Sequence, residues 1–299
     1  RYFNRSINLK NRMKMRDFSI VGLWAICFAL FFCSCTTEGV SQGNTNDASI
    51  EVVQNKPLNL TIFIDLSDRI ESNTNNVSSV TKDLEIFKHL TARFKNKAVS
   101  EKIVPCKDRM EVFFYPAPAD SNIIQLSDAL EIDFAKTDIK NKKLLLSTFE
   151  ETWNNALSRI YTQSKEDKKY NGADIYGFFG KKINSQCISP NYRNVLIILS
   201  DGYPYYDKSA VSYGNNEFSY VTPKSLREHP NAKLKSLSVD LSDLEILLLE
   251  VDEGNKGDFY KLQTIWTDWL KGMNAKRFQM AETSLPNETR KVIDAFLSE

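Results

Sequence analysis

The sequence predicts a Rossmann-like, three-layer α/β/α fold in which helices cover both faces of a mostly parallel sheet. Strand patterns alternate with helical periodicity from residue 57 onwards, which is the order typical of βαβ units. Two strand segments, LNLTIFI and NVLIIL, are largely apolar or β-branched throughout, as expected for strands buried on both sides. Both are followed within two residues by an aspartate.

The strands are predicted where such runs stop at polar residues or prolines. The first begins at Leu58 and turns polar at Asp65, and the third core strand begins at Asn194 and leads into Ser200-Asp201-Gly202. The carboxyl ends of neighbouring parallel strands are where ligands gather in such folds. Other strands are predicted at 110–115, 244–251 and 276–282, with a short edge strand in IIQL (123–126).

Helices are predicted where apolar side chains recur every three or four residues. From Val77 to Phe94 one apolar stripe accounts for six positions. A polar, aromatic stretch (204–223) is interpreted as a hairpin that turns at Gly214-Asn215. The remaining helices are predicted at about 142–163, 259–273 and 287–297, with a loop leading into a short helix over 171–183.

Composition excludes several classes of function. The 299 residues include 39 basic and 38 acidic side chains, so the net charge of +1 does not indicate nucleic acid as a partner. The chain has two histidines, His89 and His229, which argues against most histidine-based zinc sites and against a Ser-His-Asp hydrolase.

The N-terminal segment has the pattern of an export signal. Six bases and one acid precede or flank an uncharged apolar run (18–32), which is short for a membrane span. The run ends at Cys33-Ser34-Cys35 and so resembles a bacterial lipoprotein signal, with Cys35 as the lipidated residue; a buried helix or an uncleaved anchor is the alternative. We therefore expect a signal with upstream residues (1–35), a flexible tether (36–56), a folded domain (57–299), and lipid anchoring in the bacterial cell envelope, periplasmic or surface-facing.

The folded domain resembles a von Willebrand factor A (VWA) domain. The resemblance rests on Asp65-x-Ser67 after the first strand, Asn171-Gly172-Ala173-Asp174-Ile175 in a middle loop, and Ser200-Asp201-Gly202 after a later strand. It covers residues 57–298 and implies one antiparallel edge strand. It also implies a Mg²⁺ or similar divalent cation held by Asp65, Ser67 and Asp201, with Asp174 nearby, whose shell is completed by a carboxylate of a protein partner.

Two departures from the family pattern concern the metal. Arg69 stands where the family has a second serine, and Ala173 stands where it has a threonine. One hypothesis is that the Arg69 guanidinium replaces the metal by bridging Asp65 and Asp201. The other is that Arg69 points outward while Asp68 or Asp174 restores a carboxylate ligand.

Three tyrosines and two cysteines also enter the hypothesis. Tyr203, with the neighbouring Tyr205 and Tyr206, is expected either to form an interaction surface or to pack against the following loop. Cys106 and Cys187 precede core strands and should lie at the end of the sheet opposite the aspartates. If the strand order of the family holds, they lie ~10 Å apart, and a disulfide between them is conceivable in an exported protein.

Three functions remain open at this point. The leading one is a non-catalytic, envelope-anchored module that binds a protein through Asp65, Ser67, Arg69, Asp174 and Asp201. The second is a Mg²⁺-dependent, phosphatase-like hydrolase with Asp65 as nucleophile, although Ser67 stands where that pattern wants a second aspartate. The third is a structural lipoprotein in which Arg69 seals the acidic loops.

Overall fold

The computed structural model describes the chain from residue 56 onwards, apart from short gaps. The described residues are 56–74, 76–167, 173–204, 211–213, 216–218, 221–229, 231–251 and 257–298. The predicted signal, the lipidation site Cys35 and the predicted tether up to residue 55 lie outside them. Asn171, Gly172, Tyr205, Tyr206, Gly214 and Asn215 lie outside them as well.

Strands and helices alternate over most of the described chain. The strands are β1 (Leu58–Ile64), β2 (Asn73–Thr74), β3 (Val77–Ser78), β4 (Arg109–Phe113), β5 (Glu131–Asp133), β6 (Arg193–Leu199), β7 (Val211–Tyr213), β8 (Asn216–Phe218), β9 (Lys233–Leu234), β10 (Leu244–Val251) and β11 (Arg277–Glu282). The helices are α1 (Ser79–Ser100), α2 (Ser121–Asp128), α3 (Ile139–Asp167), α4 (Ile175–Lys181), α5 (Ile183–Cys187), α6 (Pro223–Glu228), α7 (Asp258–Lys271) and α8 (Pro286–Ser298), with a 3₁₀ helix at Asp68–Glu71.

The central sheet has six strands in the order β11-β10-β6-β1-β4-β5. All neighbours pair in parallel except β5, which runs antiparallel to β4 at the edge. The mostly parallel sheet with one antiparallel edge strand is therefore confirmed. In a parallel sheet the strands all end at one edge, called the carboxyl edge below, and all begin at the other, called the amino edge.

Alternate side chains of the same strands build two separate cores. On one face Leu60 and Ile62 pack with residues of α1, α3 and α8, including Phe87 and Trp153. On the other face Phe63 and strand residues of β6 and β10 pack with α4, α5 and α7. Because successive residues of a strand point to opposite faces, continuous apolar runs are what this three-layer arrangement requires.

The predicted strand in IIQL (123–126) is wrong. These residues belong to α2, which begins after Asp120, whose carboxylate accepts hydrogen bonds from the backbone N–H groups of Asn122 and Ile123. Such a cap stabilises the first turn of a helix, and a four-residue apolar run is too short to distinguish the two conformations. The antiparallel edge strand follows as β5.

The hairpin after β6 is confirmed. β7 and β8 pair antiparallel with Tyr213 opposite Asn216, on either side of the predicted turn, and β9 adds a third strand beside β7. Within the described residues, no helix combines the length and the apolar composition that crossing a membrane requires.

The disulfide between Cys106 and Cys187 that the sequence leaves open is not formed, because both residues are buried free thiols. Cys106 lies in the core with α1 and α3, whereas Cys187 lies in the core with α4 and α7, so the sheet separates them. Burial raises the pKa of the Cys106 thiol to about 11 and raises that of Cys187 as well. Neither thiol is in the reactive thiolate form near neutral pH.

Candidate functional site

The two aspartates that follow the first and third core strands lie side by side at the carboxyl edge. β1 and β6 are neighbours in parallel register, and the backbone N–H of Asp65 continues their ladder by donating to the carbonyl of Leu199 at 3.0 Å. The hydroxyl of Ser200 then donates to Asp65 Oδ2 at 2.8 Å. The loop that carries Asp201 is therefore hydrogen-bonded to the side chain of Asp65.

Local turns orient both carboxylates. Asp65 Oδ1 accepts from the backbone N–H of Ser67 at 2.8 Å, and Asp201 Oδ1 accepts from that of Tyr203 at 3.1 Å. Aspartate commonly bonds the backbone two residues on in this way. Gly202 has φ of +86°, and a Cβ there would lie 3.0 Å from the side chain of Val251, so this turn favours a glycine.

Arg69 is held by a residue that the sequence analysis did not single out. Arg69 lies on the 3₁₀ helix, and its two terminal nitrogens donate to the carboxylate of Asp83 on α1 at 2.7 and 3.0 Å. The hydroxyl of Tyr161 on α3 donates to Asp83 Oδ2 at 2.6 Å. All three side chains are buried. A bidentate pair, in which one guanidinium donates two hydrogen bonds to one carboxylate, is the strong form of an arginine–aspartate ion pair.

Both predicted orientations of Arg69 are wrong. Its terminal nitrogens bind Asp83 instead of bridging Asp65 and Asp201, and its exposed fraction of 6% excludes an outward position. Burial alone would lower the pKa of Arg69, but the charges of Asp83 and Asp65, and more weakly those of Tyr161 and Asp201, raise it overall. Arg69 therefore stays charged beside both aspartates without neutralising either by a direct pair.

Asp201 retains a strong tendency to hold a proton. Burial raises its pKa, the charge of Asp65 raises it further, and the Tyr203 N–H and the charge of Arg69 only partly oppose this, so that the pKa reaches about 7. The charge of Arg69 is thus too distant from Asp201 to offset the effects of burial and of Asp65. The Asp65–Asp201 pair therefore carries more negative charge than its surroundings compensate.

A second buried ion pair, Lys82–Glu250, lies near the Arg69–Asp83 pair, at the end of β10. Lys82 Nζ donates to the hydroxyl of Thr283 at 2.7 Å, and that hydroxyl donates to Glu250 Oε2 at 2.7 Å. Lys82 Nζ lies 4.0 Å from Glu250 Oε2, and both side chains are buried. Burial raises the pKa of Glu250, and the charge of Asp83 adds to that rise.

Among the described residues, the carboxyl edge contains more acids than bases. Four buried or half-buried carboxylates interact there with two cations, namely Asp65, Asp83, Asp201 and Glu250 with Arg69 and Lys82, and the exposed Asp68 also acts on Asp201. The two ion pairs are Arg69–Asp83 and Lys82–Glu250. The acids left over are Asp65 and Asp201, the two that the sequence placed in the site.

The other predicted site residues lie at the same edge in different roles. Asp174 donates its backbone N–H to the carbonyl of Tyr115, which follows β4, and its carboxylate caps α4 by accepting from the N–H of Gly177. Asp68 is exposed at the start of the 3₁₀ helix. Tyr203 is partly buried against the core formed with α4 and α7, which favours the packing interpretation.

The residues that sequence reasoning missed had a recognisable signal. Asp83 lies three residues after Val80 and four before Phe87, within the apolar stripe of α1, where a charge must be buried and paired. Tyr161 lies four residues after Leu157 on the apolar face of α3. Ser200 was recognised as part of the Ser-Asp-Gly motif, but not as a partner of Asp65.

The described residues contain a further group of possible metal ligands at the amino edge. Glu101, Cys106 and Asp108 place one ligand atom each within 4.8 Å of one another. Lys97 Nζ already donates to Glu101 and to Asp108 at 2.7 Å each, and the backbone N–H of Leu58 donates to the other oxygen of Asp108. This group is an ion-pair cluster built around an ammonium.

Comparisons with known proteins found similar solved structures but no matching family and no matching curated sequence. Two crystal structures of the pilus adhesin SpaC from Lactobacillus rhamnosus GG are similar to it, the open conformation with a TM-score of 0.35 at 13% identity and another form with 0.37 at 11%. Each similarity covers 81% of this chain and 30% of the adhesin, so the chain spans less than a third of that protein's length.

Proposed function

We propose that this chain is an envelope-anchored, non-catalytic binding protein whose VWA-like domain engages a protein partner through the loops of the carboxyl edge. The observation that carries the proposal is the contact between the loops after β1 and β6, in which Ser200 joins Asp65 to the Asp201 loop. These loops present an uncompensated pair of carboxylates where parallel α/β folds bind ligands. Anchoring through Cys35 is proposed from the sequence pattern.

The donor set of this site fits a divalent cation. Asp65, Ser67 and Asp201 offer carboxylate and hydroxyl oxygens, the ligand types that Mg²⁺ prefers. Arg69 does not oppose such an ion strongly, because its charge is matched by the buried carboxylate of Asp83. A bound cation would supply a positive charge that a partner's carboxylate can meet, and it would relieve the repulsion that raises the pKa of Asp201.

Arg69 is not part of the surface that a partner would contact. Arg69 is buried and cannot meet a partner's acid directly. Among the described residues near the aspartates, Asp68 is exposed and Tyr203 is half-buried, so a partner could touch both. A partner that presents a carboxylate would therefore depend on the cation for its attraction to this edge.

Binding is favoured over hydrolysis by the environment of Asp65. Its side chain is 4% exposed, and each of its two oxygens accepts a hydrogen bond from the protein. A nucleophilic carboxylate needs an oxygen directed at the substrate. Asp65 has instead the environment of a carboxylate that orders two loops. The lone pair that remains on each oxygen can reach a small cation but not a bulky phosphate ester, so we expect cation binding without turnover of phosphate esters.

The experiment is a comparison of cation binding and partner capture in matched variants. Mg²⁺ and Mn²⁺ should raise the Tm of the full chain, because a ligand that binds only the folded state stabilises it. Asp201→Asn should abolish this shift, whereas Asp268→Asn, an exposed aspartate on α7, should leave it intact. Cross-linking in the bacterial envelope should join a partner protein to the Asp268→Asn variant but not to the Asp201→Asn variant. Equal capture by both variants contradicts the proposal.

A further inference from the structure

Exposed apolar side chains are grouped at the amino edge, where α1 ends and α3 begins. Eight large apolar side chains of the described residues are exposed, and five of them lie in two short segments of the chain. The five are Val99, Val104, Ile139, Leu144 and Leu145. The first four are each at least 50% exposed. Single exposed apolar residues are common on protein surfaces, whereas a group of them indicates an interaction surface.

Contacts between the two segments hold them side by side. Lys95 on α1 donates to Glu150 on α3 at 2.6 Å. Lys142, which is buried in the first turn of α3, donates its ammonium to the carbonyls of Val104 at 3.0 Å and Cys106 at 2.7 Å. The start of α3 is therefore fixed against the loop that follows α1, and residues 99–107 with 138–145 form one surface, called the amino-edge patch below.

The amino-edge patch also carries exposed lysines. They are Lys102 and Lys107 in the loop after α1, and Lys140 and Lys143 at the start of α3. Within the described part of the chain none of these four forms an ion pair. Their ammonium groups are therefore available to anions outside the protein.

Few acids oppose these lysines. Glu101 is paired with Lys97 at 2.7 Å. Asp138 caps α3 by accepting a hydrogen bond from the backbone N–H of Lys140 at 3.0 Å, and its charge is the one that the ion pairs of these two segments leave over. The patch therefore combines aliphatic side chains with a surplus of positive charge.

The chain enters the folded domain beside this patch. Lys56, the first described residue, lines one opening together with Pro105 and Lys107, and β1 begins at Leu58. The tether predicted before Lys56 thus joins the domain at the amino edge, on the opposite side of the sheet from the proposed partner site. An anchor at Cys35 would keep this edge close to lipid.

We propose that the amino-edge patch docks on the anionic surface of a lipid bilayer. The lysines lie at the level of the head groups, where each cation near an anionic surface strengthens binding about fivefold. The aliphatic side chains enter the boundary between head groups and acyl chains, as they do in proteins that lie on a membrane. Lipid adapts to side chains that lie on a helix and a loop, whereas a protein partner would have to match their shape.

Docking in this orientation turns the carboxyl edge away from the lipid, where a protein partner can reach it. The inference rests on the proposed envelope anchoring for the approach to the membrane. It does not depend on the cation or on Asp201.

The first test locates the edge that touches lipid. A thiol-linked fluorophore is placed on the full chain at Leu144→Cys or, as the matched control, at Leu285→Cys. Leu285 is 57% exposed and lies between β11 and α8, at the carboxyl edge. With phosphatidylglycerol vesicles that contain a nitroxide-labelled lipid, the label at position 144 should lose at least half of its fluorescence, and the label at position 285 should keep it. Equal fluorescence changes at the two positions overturn the proposal.

The labelled chains also carry Cys33→Ser and Cys35→Ser. These changes remove competing thiols and the lipidation site, so that vesicle binding does not depend on a covalent lipid. Cys106 and Cys187 stay, because both are buried.

The second test measures the contribution of the lysines in the same unlipidated chain. Lys140→Gln with Lys143→Gln should weaken binding to phosphatidylglycerol vesicles about 25-fold. Lys233→Gln with Lys271→Gln, two exposed lysines on β9 and α7, changes the net charge equally and should leave binding unchanged. The basic N-terminal segment is common to both variants and contributes equally. Equal vesicle binding by the two double variants contradicts the proposal.

The third test measures the apolar contribution. Leu144→Ser should weaken binding to phosphatidylglycerol vesicles at least fivefold, because the leucine side chain no longer leaves water, and Leu285→Ser should not. A patch that binds an acidic protein instead of lipid would leave the label at position 144 unquenched and both serine variants alike, which overturns the proposal. Such a failure leaves the function proposed for the carboxyl edge untouched, since that function is tested through Asp201.

Discussion

The two edges of the central sheet carry opposite surpluses of charge. Within the described part of the chain, four buried or half-buried acids interact with two bases at the carboxyl edge, whereas three cations, Arg193, Lys276 and Arg277, share Glu245 at the amino edge. Helices of a parallel α/β fold begin near the carboxyl edge and end near the amino edge, so their dipoles favour acids at the first and cations at the second. The net charge of +1 conceals this separation.

The edges differ further in burial. The ion pairs Arg69–Asp83 and Lys82–Glu250 are buried, whereas the cations around Glu245 are between a quarter and a half exposed. Removing one partner of a buried pair leaves a charge without solvent, but removing an exposed cation lets water replace it. Equivalent substitutions at the two edges should therefore have unequal effects.

The largest effect is expected for Arg69→Met. It removes the cation that pairs with the buried carboxyl group of Asp83, beside Tyr161 and Asp65, and should lower the free energy of unfolding by about 3–5 kcal/mol. The measurement is urea unfolding at neutral pH. The double variant Arg69→Met, Asp83→Leu should recover much of the loss, and a loss below about 1 kcal/mol for Arg69→Met alone would contradict the buried pair.

A smaller effect is expected for Gly202→Ala at the carboxyl edge. Both Gly202 and Gly257 have positive φ, but an added Cβ meets Val251 at 3.0 Å in the first and nothing within 4 Å in the second. Alanine in this conformation costs about 1 kcal/mol at either position, and the contact with Val251 should add about 1–2 kcal/mol at Gly202 alone. Equal losses for Gly202→Ala and Gly257→Ala in urea unfolding would show that the contact relaxes freely.

The direct comparison of the edges is Lys82→Met against Lys276→Met. Each lysine faces one glutamate, but Lys82 is 2% exposed and Lys276 is 53% exposed. We expect losses of about 2–3 kcal/mol for Lys82→Met and at most about 1 kcal/mol for Lys276→Met. Thermal unfolding at two salt concentrations measures both, and added salt should reduce only the Lys276 contribution.

The smallest effect is a pH dependence that two raised carboxyl pKa values produce. Burial and Asp65 raise the pKa of Asp201 to about 7, and burial with the opposing cross-strand Glu131 raises that of Glu111 to about 7. The folded state therefore keeps these two protons at pH values where the unfolded state has released them. The contribution of the two groups to the free energy of unfolding is full below about pH 4 and is lost as the pH rises to about 7.

Substitution separates the two contributions. Asp201→Asn and Glu111→Gln should each flatten the decline in the free energy of unfolding between pH 4 and 7, and each should gain about 1 kcal/mol at pH 8. Mg²⁺ should reduce the effect of Asp201→Asn and leave that of Glu111→Gln unchanged. An unchanged pH profile in both variants would show that neither carboxyl group holds its proton.

The fold could be predicted because the evidence for it is local. The apolar runs of β1, β6 and β10 and the stripe of α1 are visible in short stretches of sequence. IIQL was misassigned because four apolar residues suit a strand or a helix, and the cap by Asp120 favours the helix. The aspartates at the carboxyl edge could be predicted because each follows an apolar run within two residues.

The partner of Arg69 could not be chosen from the strand ends alone. One hypothesis drawn from the motifs is that Arg69 bridges Asp65 and Asp201. The two terminal nitrogens of Arg69 donate instead to the carboxylate of Asp83 on α1. The charge of Asp83 within an apolar stripe was the available signal, since a buried acid needs a partner. Which partner it takes depends on how α1 packs over the loop after β1.

The amino-acid sequence specifies the alternation of strands and helices and the aspartates that end two core strands, because these features depend on neighbouring residues. The pairing of charges depends on the packed fold, because it joins groups far apart along the chain. Lys82 meets Thr283 across 201 positions, and Cys106 and Cys187 are separated by the sheet although both precede core strands. Distances of this kind are set when helices pack on the sheet, and they determine which carboxylates remain for a ligand.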